Sequence, residues 1–289
     1  MKNRALVNFA ERSTQAALLR VAKELRRAAR DPEDVDIIHD LRVSIRRYTQ
    51  CLGTFAALFD PEATKRIRRR LRKLMSLCGE TRNCDVAIQL LQSVKVPLGD
   101  PAYSALRERR DLAAKELTRH LAKKRWADFA AKHNLRCRNK DHGSEPWDNT
   151  LGVFANARQV LPQMADDFFA AGASAAATNR DYEMLHAFRL RAKRFRYTLE
   201  LFRSVYGRSM DQRLTQMRGL QDRLGGINDC LTTLELVAST AKTKRRIEAL
   251  LASRDRDFRE HWNDHFSSRA GVQWRSWLSS AKQTKALPS

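Results

Sequence analysis

One pattern of apolar residues occurs twice in this sequence and constrains the fold more than any other feature. In residues 38–55, IHDLRVSIRRYTQCLGTF, apolar side chains recur at steps of three and four. Residues 185–202, LHAFRLRAKRFRYTLELF, repeat the pattern at a constant offset of 147. The stripe consists of Ile38, Leu41, Ile45, Tyr48, Leu52 and Phe55 in the first copy and of Leu185, Phe188, Ala192, Phe195, Leu199 and Phe202 in the second. This spacing places each stripe on one face of a helix, as in bundle packing.

The rest of the chain also favours an all-α fold. Apolar residues recur at helical spacing almost throughout, and Gly and Pro together supply only 18 of 289 residues. Pro162 is expected to kink or split its helix, because proline breaks helix interiors. Besides the helix at 38–55, we predict helices near residues 5–30, 62–78, 84–95, 102–132, 151–172, 182–206, 209–224, 228–240 and 242–267.

A second pair of segments extends the internal repeat. Residues 71–86, LRKLMSLCGETRNCDV, align with residues 217–232, MRGLQDRLGGINDCLT, so that a glycine matches a glycine. We therefore predict two related helical bundles, residues 1–140 and 141–289, divided in the loop-like stretch at 133–150. Each glycine segment is expected to form a turn that separates two helices.

The charge of the chain indicates an anionic partner. Its 55 Lys and Arg outnumber its 33 Asp and Glu, which gives a formal net charge of +22. Such a surface attracts nucleic acid, membrane headgroups or an acidic polymer.

The sequence also favours a cytoplasmic location. No apolar run approaches the roughly 18 residues of a membrane helix, and the N-terminus lacks the continuous apolar stretch of a signal peptide. The five cysteines include no C-x-x-C pair, which fits a reducing compartment. We expect no membrane insertion; a basic transit peptide remains an open alternative, and the oligomeric state is left open.

Each apolar stripe is bordered by a column of basic residues. His39, Arg42 and Arg46 are spaced i, i+3 and i+7, so they share one helix face. His186, Arg189 and Lys193 repeat this arrangement in the second copy. Arginine holds phosphate oxygens bidentately, lysine adds a point charge, and histidine donates while it titrates near neutral pH. Two such columns would bind a repeating polyanion.

A denser basic run lies nearby and leaves the identity of the polyanion open. KRIRRRLRK, residues 65–73, carries seven basic residues in nine. Backbone electrostatics of this kind attract RNA, DNA, heparin and polyphosphate alike. Nucleic-acid or general polyanion binding is therefore the alternative to a selective phosphate-polymer site.

Four segments of the chain resemble signatures of the CHAD domains, a family of histidine-containing α-helical domains. The segments are HDLRVSIRR, GETRNCD, LHAFRLRAKRFRY and LGGIND, and the resemblance spans roughly residues 5–270. It implies two helical bundles related by pseudo-twofold symmetry and a basic central groove or pore. It also implies binding of inorganic polyphosphate and association with polyphosphate granules.

The resemblance assigns candidate polyphosphate-binding residues in both repeats. These are His39, Arg42, Arg46, Arg47, Arg82, His186, Arg189, Lys193, Arg196 and Tyr197, with Arg82 expected at the start of a helix. Neighbouring basic segments add Arg72, Lys73 and Arg194 to the candidate set.

Two positions depart from the family pattern. Thr49 stands where the second repeat has Arg196, and Asn83 stands where an aspartate is typical. The first departure is expected to weaken one phosphate contact. The second removes a carboxylate that would orient neighbouring cations, although an amide can still form hydrogen bonds.

Nothing in the sequence favours catalysis or a cofactor. The chain has no P-loop, no G-x-G-x-x-G fingerprint and no G-x-S-x-G elbow. Asp85, Asp222 and Asp229 could be imagined as a magnesium-binding set, but each is expected to cap a helix or pair with an arginine. We expect a stand-alone binding module without metal or cofactor.

Overall fold

The computed structural model describes residues 4–123, 126, 128–137, 146–148, 150–177, 181–237 and 240–280, and in these residues it contains helices and no strand. The predicted all-α class is therefore confirmed. The helices are α1 Ala5–Arg30, α2 Val35–Thr54, α3 Pro61–Ser93, α4 Pro101–Leu121, α5 Phe129–Lys132, α6 Val153–Ala177, α7 Tyr182–Leu201, α8 Arg203–Tyr206, α9 Ser209–Leu236, α10 Ala241–His265 and α11 Ser268–Ser280. None of these helices is long and apolar enough to span a membrane.

The chain forms two compact units. The first-repeat unit comprises the described residues of Glu11–Arg138 and Asp229–Leu251. The second-repeat unit comprises those of Met1–Ala10, Asn139–Asn228 and Ala252–Ser289. Each unit thus holds one of the repeated helices, α2 or α7, while α1, α9 and α10 contribute residues to both. The bundle boundaries predicted from the repeat, 1–140 and 141–289, do not include this exchange of segments.

The core of the first-repeat unit is built around α2. This helix starts at Asp34, whose carboxylate accepts hydrogen bonds from the backbone N–H groups of Asp36 and Ile37 and so satisfies two orphan donors. The predicted apolar stripe is buried along its whole length, with every member at most 5% exposed. It packs against α3, which in turn packs against α4.

The second-repeat unit has an aromatic core. Phe168 of α6 lies with its ring centroid 5.5 Å from that of Phe188 and 5.1 Å from that of Phe195, both on α7. Trp262 of α10 and Phe266, which directly follows this helix, stack at 5.3 Å and complete the cluster. The second apolar stripe is at most 2% exposed. Both copies of the repeat therefore bury the face that the sequence predicted.

The prediction of turns at the two glycine segments is wrong. α3 continues without a break through residues 79–83, and α9 continues through residues 225–229. Each glycine lowers helix propensity by only about 1 kcal/mol relative to alanine. Buried residues on both sides keep the helical period, including Leu74, Leu77, Cys78, Thr81, Cys84 and Ala87 in α3 and Leu220, Leu224, Ile227 and Cys230 in α9. Burial of this continuous apolar face stabilises each helix by more than the low helix propensity of glycine destabilises it.

Several predicted helix ends also differ from the structure. The helix predicted at 102–132 ends at Leu121, where the chain turns and the Trp126 Nε1–H donates to the His120 carbonyl at 2.9 Å. The helix predicted at 182–206 is divided into α7 and the short α8. Pro162 is buried inside α6, which runs from Val153 to Ala177 without the predicted split. The sequence analysis missed α11.

The close approach of α6 and α10 at Gly172 generates a prediction about stability. A Cβ atom at Gly172 would lie 1.9 Å from Cη2 of Trp262, and that ring is buried among other aromatic rings and cannot swing away. We expect Gly172→Ala to lower the free energy of unfolding by about 1–3 kcal/mol through overpacking. Urea unfolding followed by circular dichroism measures this change.

Gly225→Ala is the matched control, because Gly225 also lies inside a helix but, beyond its own helix backbone, no described atom lies within 4 Å of its added Cβ. There we expect a gain of up to about 1 kcal/mol from helix propensity. Stabilisation by both substitutions would contradict the packing at Gly172.

Candidate anion-binding site

The first basic column lies along the edge of the buried stripe of α2. The His39 side chain is exposed, whereas Arg42 and Arg46 are half-buried. The neighbouring Arg47 is half-buried as well. The stems of these arginines are thus held by packing beside the core, which limits their freedom before any ligand binds.

The structure brings three predicted residues together in one cleft of the first-repeat unit. His39 and Arg42 from α2 and Arg82 from α3 line it. Arg82 lies in the middle of α3, so its predicted place at a helix start is wrong. It is half-buried and makes no hydrogen bond or ion pair with the described residues.

The cleft has further lining residues that the sequence analysis did not assign to the site. Arg110 of α4 lines it together with Glu33 and Asp85. The Arg110 Nε–H donates to an Asp85 carboxylate oxygen at 2.7 Å, and this pair is largely shielded from solvent. Asp85 is therefore an arginine partner, one of the two roles predicted for it. Arg110 was not predicted, because α4 lies outside the repeated segments on which the prediction was based.

Gly79 provides the space in which the Arg42 guanidinium lies. The Arg42 Nη1 donates a long hydrogen bond of 3.5 Å to the Met75 carbonyl of α3. A Cβ atom at Gly79 would lie only 3.1 Å from this nitrogen. Glycine at this position thus allows a side chain of α2 to approach the α3 backbone closely. This contact explains a glycine that the sequence analysis assigned to a turn.

Cys78 lies near Arg42 but does not neutralise it. Burial raises the pKa of the Cys78 thiol to about 11, although the charge of Arg42 opposes the shift. The sulfur is therefore protonated at neutral pH. No thiolate forms there to compete with an external anion for the guanidinium.

Arg46 contains a buried donor without a partner. Its Nε lies out of contact with solvent, and no described residue accepts a hydrogen bond from it. Buried polar groups are nearly always hydrogen-bonded, and an unmet donor costs about 1–3 kcal/mol. An anion bound beside Arg46 would satisfy this donor.

The second basic column repeats the burial of the first within its own unit. His186 is exposed, and Arg189 and Lys193 are half-buried beside the stripe of α7. The helix starts at Asp181, whose carboxylate accepts a hydrogen bond from the Met184 backbone N–H. Each position of the column therefore has the same exposure as its counterpart in α2.

Arg196 is engaged by its own unit. Its Nε–H donates to the Gln221 amide oxygen of α9 at 2.6 Å, and its Nη1 pairs with the Glu200 carboxylate. The guanidinium lies 4.5 Å from the centroid of the Tyr197 ring, which is itself buried. With its side chain 14% exposed, Arg196 connects α7 to α9.

The position equivalent to Arg196 in the first repeat also turns inward. The Thr49 hydroxyl donates to the carbonyl oxygens of Ile45 and Arg46, at 2.9 and 3.0 Å. In the second repeat, Arg196 is bonded to Gln221 and Glu200 within its own unit. The threonine at position 49 therefore does not cost the first repeat a solvent-facing cation.

The remaining candidates lie on exposed helix faces. Arg72 and Arg194 are exposed and make no ion pair with the described residues. Lys73 is also exposed, and its Nζ lies 3.5 Å from the Glu116 carboxylate of α4. Exposed pairs of this kind contribute little, so Lys73 keeps most of its capacity to attract an anion.

The described residues contain no group of three or more His, Cys, Asp or Glu side chains arranged to hold a metal ion. The candidate residues that line the cleft, His39, Arg42 and Arg82, offer hydrogen-bond donors, and the two arginines add positive charges.

Solved structures of other proteins have a similar fold. No curated protein matches the sequence. The structure resembles the crystal structure of the CHAD domain from the plant Ricinus communis, with a TM-score of 0.63 and 18% identity over 97% of this chain and 94% of that one. It also resembles PptA from Streptomyces chartreusis, with a TM-score of 0.60 and 15% identity over 93% and 98% of the two chains.

The family model of the CHAD domain matches residues 12–238, which include α2, α3, α7 and α9 and therefore both basic columns. The chain belongs to the CHAD domain family.

Proposed function

We propose that this protein binds inorganic polyphosphate without turning it over. The ligand would contact Arg, Lys and His side chains of both repeats in a basic groove, as the family resemblance implies. Membership of the family supports the ligand class, and the net charge of +22 supports an anionic partner.

The observation that carries the proposal is the matching pattern of exposed and half-buried positions in the two basic columns. In each repeat the histidine is exposed and the next two cations are half-buried beside a buried stripe. If these residues formed only a solvated charged face, the three positions of each column would not need matching burial in the two helices. A polymer of identical phosphate units is a ligand that suits two similar rows of donors.

The local contacts suit phosphate oxygens. Arg42 is held over Gly79, and no described residue accepts a hydrogen bond from the buried Nε of Arg46. Donors fixed before binding lose little side-chain entropy when an oxyanion arrives. Charge-assisted hydrogen bonds from arginine to phosphate are among the strongest that side chains make.

The contacts also rank the candidate residues. Arg42, Arg46, Arg82, Arg189 and Lys193 would bind phosphate directly, with His39 and His186 at the exposed ends of the columns. Arg196 and Tyr197 would act as positioning residues, because Arg196 is already paired with Glu200 and Gln221. Arg47, Arg72, Lys73 and Arg194 would add attraction at longer range.

Noncatalytic binding fits the carboxylates of the cleft. Of the two carboxylates that line it, Asp85 is paired with Arg110 and Glu33 is exposed. The proposed role is therefore retention of the polymer, which is consistent with a cytoplasmic protein at polyphosphate granules.

Nucleic-acid binding is the second candidate function. It is favoured by the run at 65–73, in which Lys65, Arg66, Arg69, Arg72 and Lys73 are exposed. Base stacking, however, has little support from the tryptophans. Trp126, Trp147, Trp262 and Trp274 are each at most 4% exposed and belong to the cores. Trp277 is half-buried, and the Arg213 guanidinium already lies 3.7 Å from its ring centroid.

Removal of the four half-buried column cations tests the proposed site. We expect the variant Arg42→Gln, Arg46→Gln, Arg189→Gln and Lys193→Gln to bind long-chain polyphosphate about 100-fold more weakly or worse, since each charged contact contributes about 1.5–3 kcal/mol. Calorimetry at near-physiological salt measures the affinity, and circular dichroism checks that helicity is retained.

The control removes the same charge elsewhere. Arg20, Arg26, Arg256 and Arg269 are exposed and make no ion pair with the described residues. Changing all four to Gln should weaken binding only modestly. Equal losses in the two variants would show that net charge, rather than the columns, determines the affinity.

The contact between Arg42 and Gly79 gives a finer prediction. In Gly79→Ala the added Cβ would lie 3.1 Å from Arg42 Nη1, so the guanidinium must shift by a few tenths of an ångström. We expect affinity for polyphosphate to fall by about threefold to tenfold while helix propensity stabilises the protein by up to about 1 kcal/mol. Calorimetry and urea unfolding measure the two effects separately.

Gly225→Ala is the control, because Gly225 aligns with Gly79 in the repeat and its Cβ would contact nothing. It should raise stability without weakening binding. Unchanged affinity in Gly79→Ala would mean that the position of Arg42 over α3 is not used for binding.

A further inference from the structure

A second basic cleft lies elsewhere in the first-repeat unit. Arg66, Arg69 and Arg70 from the N-terminal half of α3 face Lys132 and His133 at the end of α5 across a cleft of about 380 Å³. The other described lining residues are Ala63, Ile67 and Leu135, so none of the described residues that line this cleft is a carboxylate. It shares no lining residue with the cleft of His39, Arg42 and Arg82.

His133 is held in one orientation and one tautomer. Its Nδ1 lies 2.7 Å from the Phe129 carbonyl oxygen, which can only accept, so Nδ1 carries the proton. Its Nε2 lies 3.1 Å from the Arg70 Nη1 and therefore accepts a hydrogen bond from it. The ring also stacks on Phe129 at 4.4 Å, and the Tyr48 hydroxyl donates to the His133 carbonyl at 3.3 Å.

The surroundings keep this imidazole uncharged at neutral pH. Burial lowers the pKa of His133, the hydrogen bond to Phe129 opposes the shift, and the charges of Arg70 and Lys132 lower it further. A neutral ring leaves the positive charge of Arg70 intact and orients its guanidinium in the cleft. The histidine thus positions a cation rather than supplying one.

The cations of the cleft have little internal compensation. Arg66 and Arg69 are exposed and make no ion pair with the described residues. Lys132 lies 3.4 Å from Asp128, but both side chains are more than half exposed, so the pair is strongly screened. Since Arg66, Arg69 and Arg70 are spaced i, i+3 and i+4, their side chains converge on one face of α3.

We propose that this cleft is a separate binding site for a terminal, multiply charged phosphoryl group, either of free pyrophosphate or at the end of a polyphosphate chain. Three arginines offer planar forks of donors to a tetrahedral oxyanion, and Lys132 adds a mobile charge from the facing segment. Two segments of the chain line this cleft and enclose a compact space, whereas each basic column is a row of donors along one helix. For pyrophosphate, the site does not depend on the function proposed for the basic columns.

Histidine resonances can report both sites in one experiment. The chain has seven histidines, and NMR of protein labelled with ¹³C-histidine resolves each ring, with His133→Gln identifying its signal. On titration with pyrophosphate we expect the His133 signal to shift and the pKa of His133 to rise, because a nearby dianion favours the imidazolium. The signals of His39 and His186 report the columns when long-chain polyphosphate is added.

Charge-matched variants decide whether the cleft itself binds. Arg66→Gln with Arg69→Gln should weaken the pyrophosphate response of His133 at least about tenfold, the equivalent of one charged contact. Arg20→Gln with Arg26→Gln removes the same charge from an exposed face of α1 and should change it by less than about twofold. Arg42→Gln with Arg46→Gln should leave the response of His133 intact even where it weakens polyphosphate binding.

Three results would overturn this site. They are no shift of His133 with pyrophosphate, equal weakening by the Arg20/Arg26 variant, and loss of the response in the Arg42/Arg46 variant. Long-chain polyphosphate at the same concentration of chain ends distinguishes the two sources of the phosphate group. A His133 shift with both ligands supports capture of chain ends, and a shift with pyrophosphate alone supports a site for the free anion.

Discussion

Burial of one apolar stripe in each repeated helix determines where the charges of this protein lie. The stripes of α2 and α7 are at most 5% exposed, so the residues directly beside them must border the core. In both helices these neighbours include half-buried cations, Arg42 and Arg46 on α2 and Arg189 and Lys193 on α7. The same hydrophobic term that stabilises each unit therefore brings arginine and lysine stems into partial burial, with their charged ends at the surface.

Partial burial restricts the side chains of these cations more than solvent exposure restricts the other arginines of the chain. A guanidinium beside a packed core has few rotamers left, and Arg42 is restricted further by its contact over Gly79. Arg46 leaves a buried donor without an acceptor. Groups held in this way lose little side-chain entropy when they bind an anion. Residues 65–73, by contrast, are mostly exposed and offer charge with little preorganisation.

The stripes and the columns could be predicted because both follow from helical periodicity within one segment. The continuity of α3 could not, because Gly79 resembles a break signal until the contact with Arg42 is known. Only one of the two contacts of Arg196 could be predicted from the sequence. Glu200 lies one helical turn from Arg196 on the same helix, whereas Gln221 contacts Arg196 because α7 packs against α9. The roles of Arg110 and of the cleft at His133 could not be predicted, because they depend on contacts between helices that share no repeated motif.

The central claim is that the paired columns select a phosphate polymer rather than any polyanion. The most direct test is calorimetric binding of long-chain polyphosphate at near-physiological salt, with RNA of equal total phosphate as competitor, because tight binding at low salt reflects counterion release alone. We predict that polyphosphate binds and that RNA fails to displace it. Equal competition by RNA would contradict the claim and identify the basic surface as a general polyanion site.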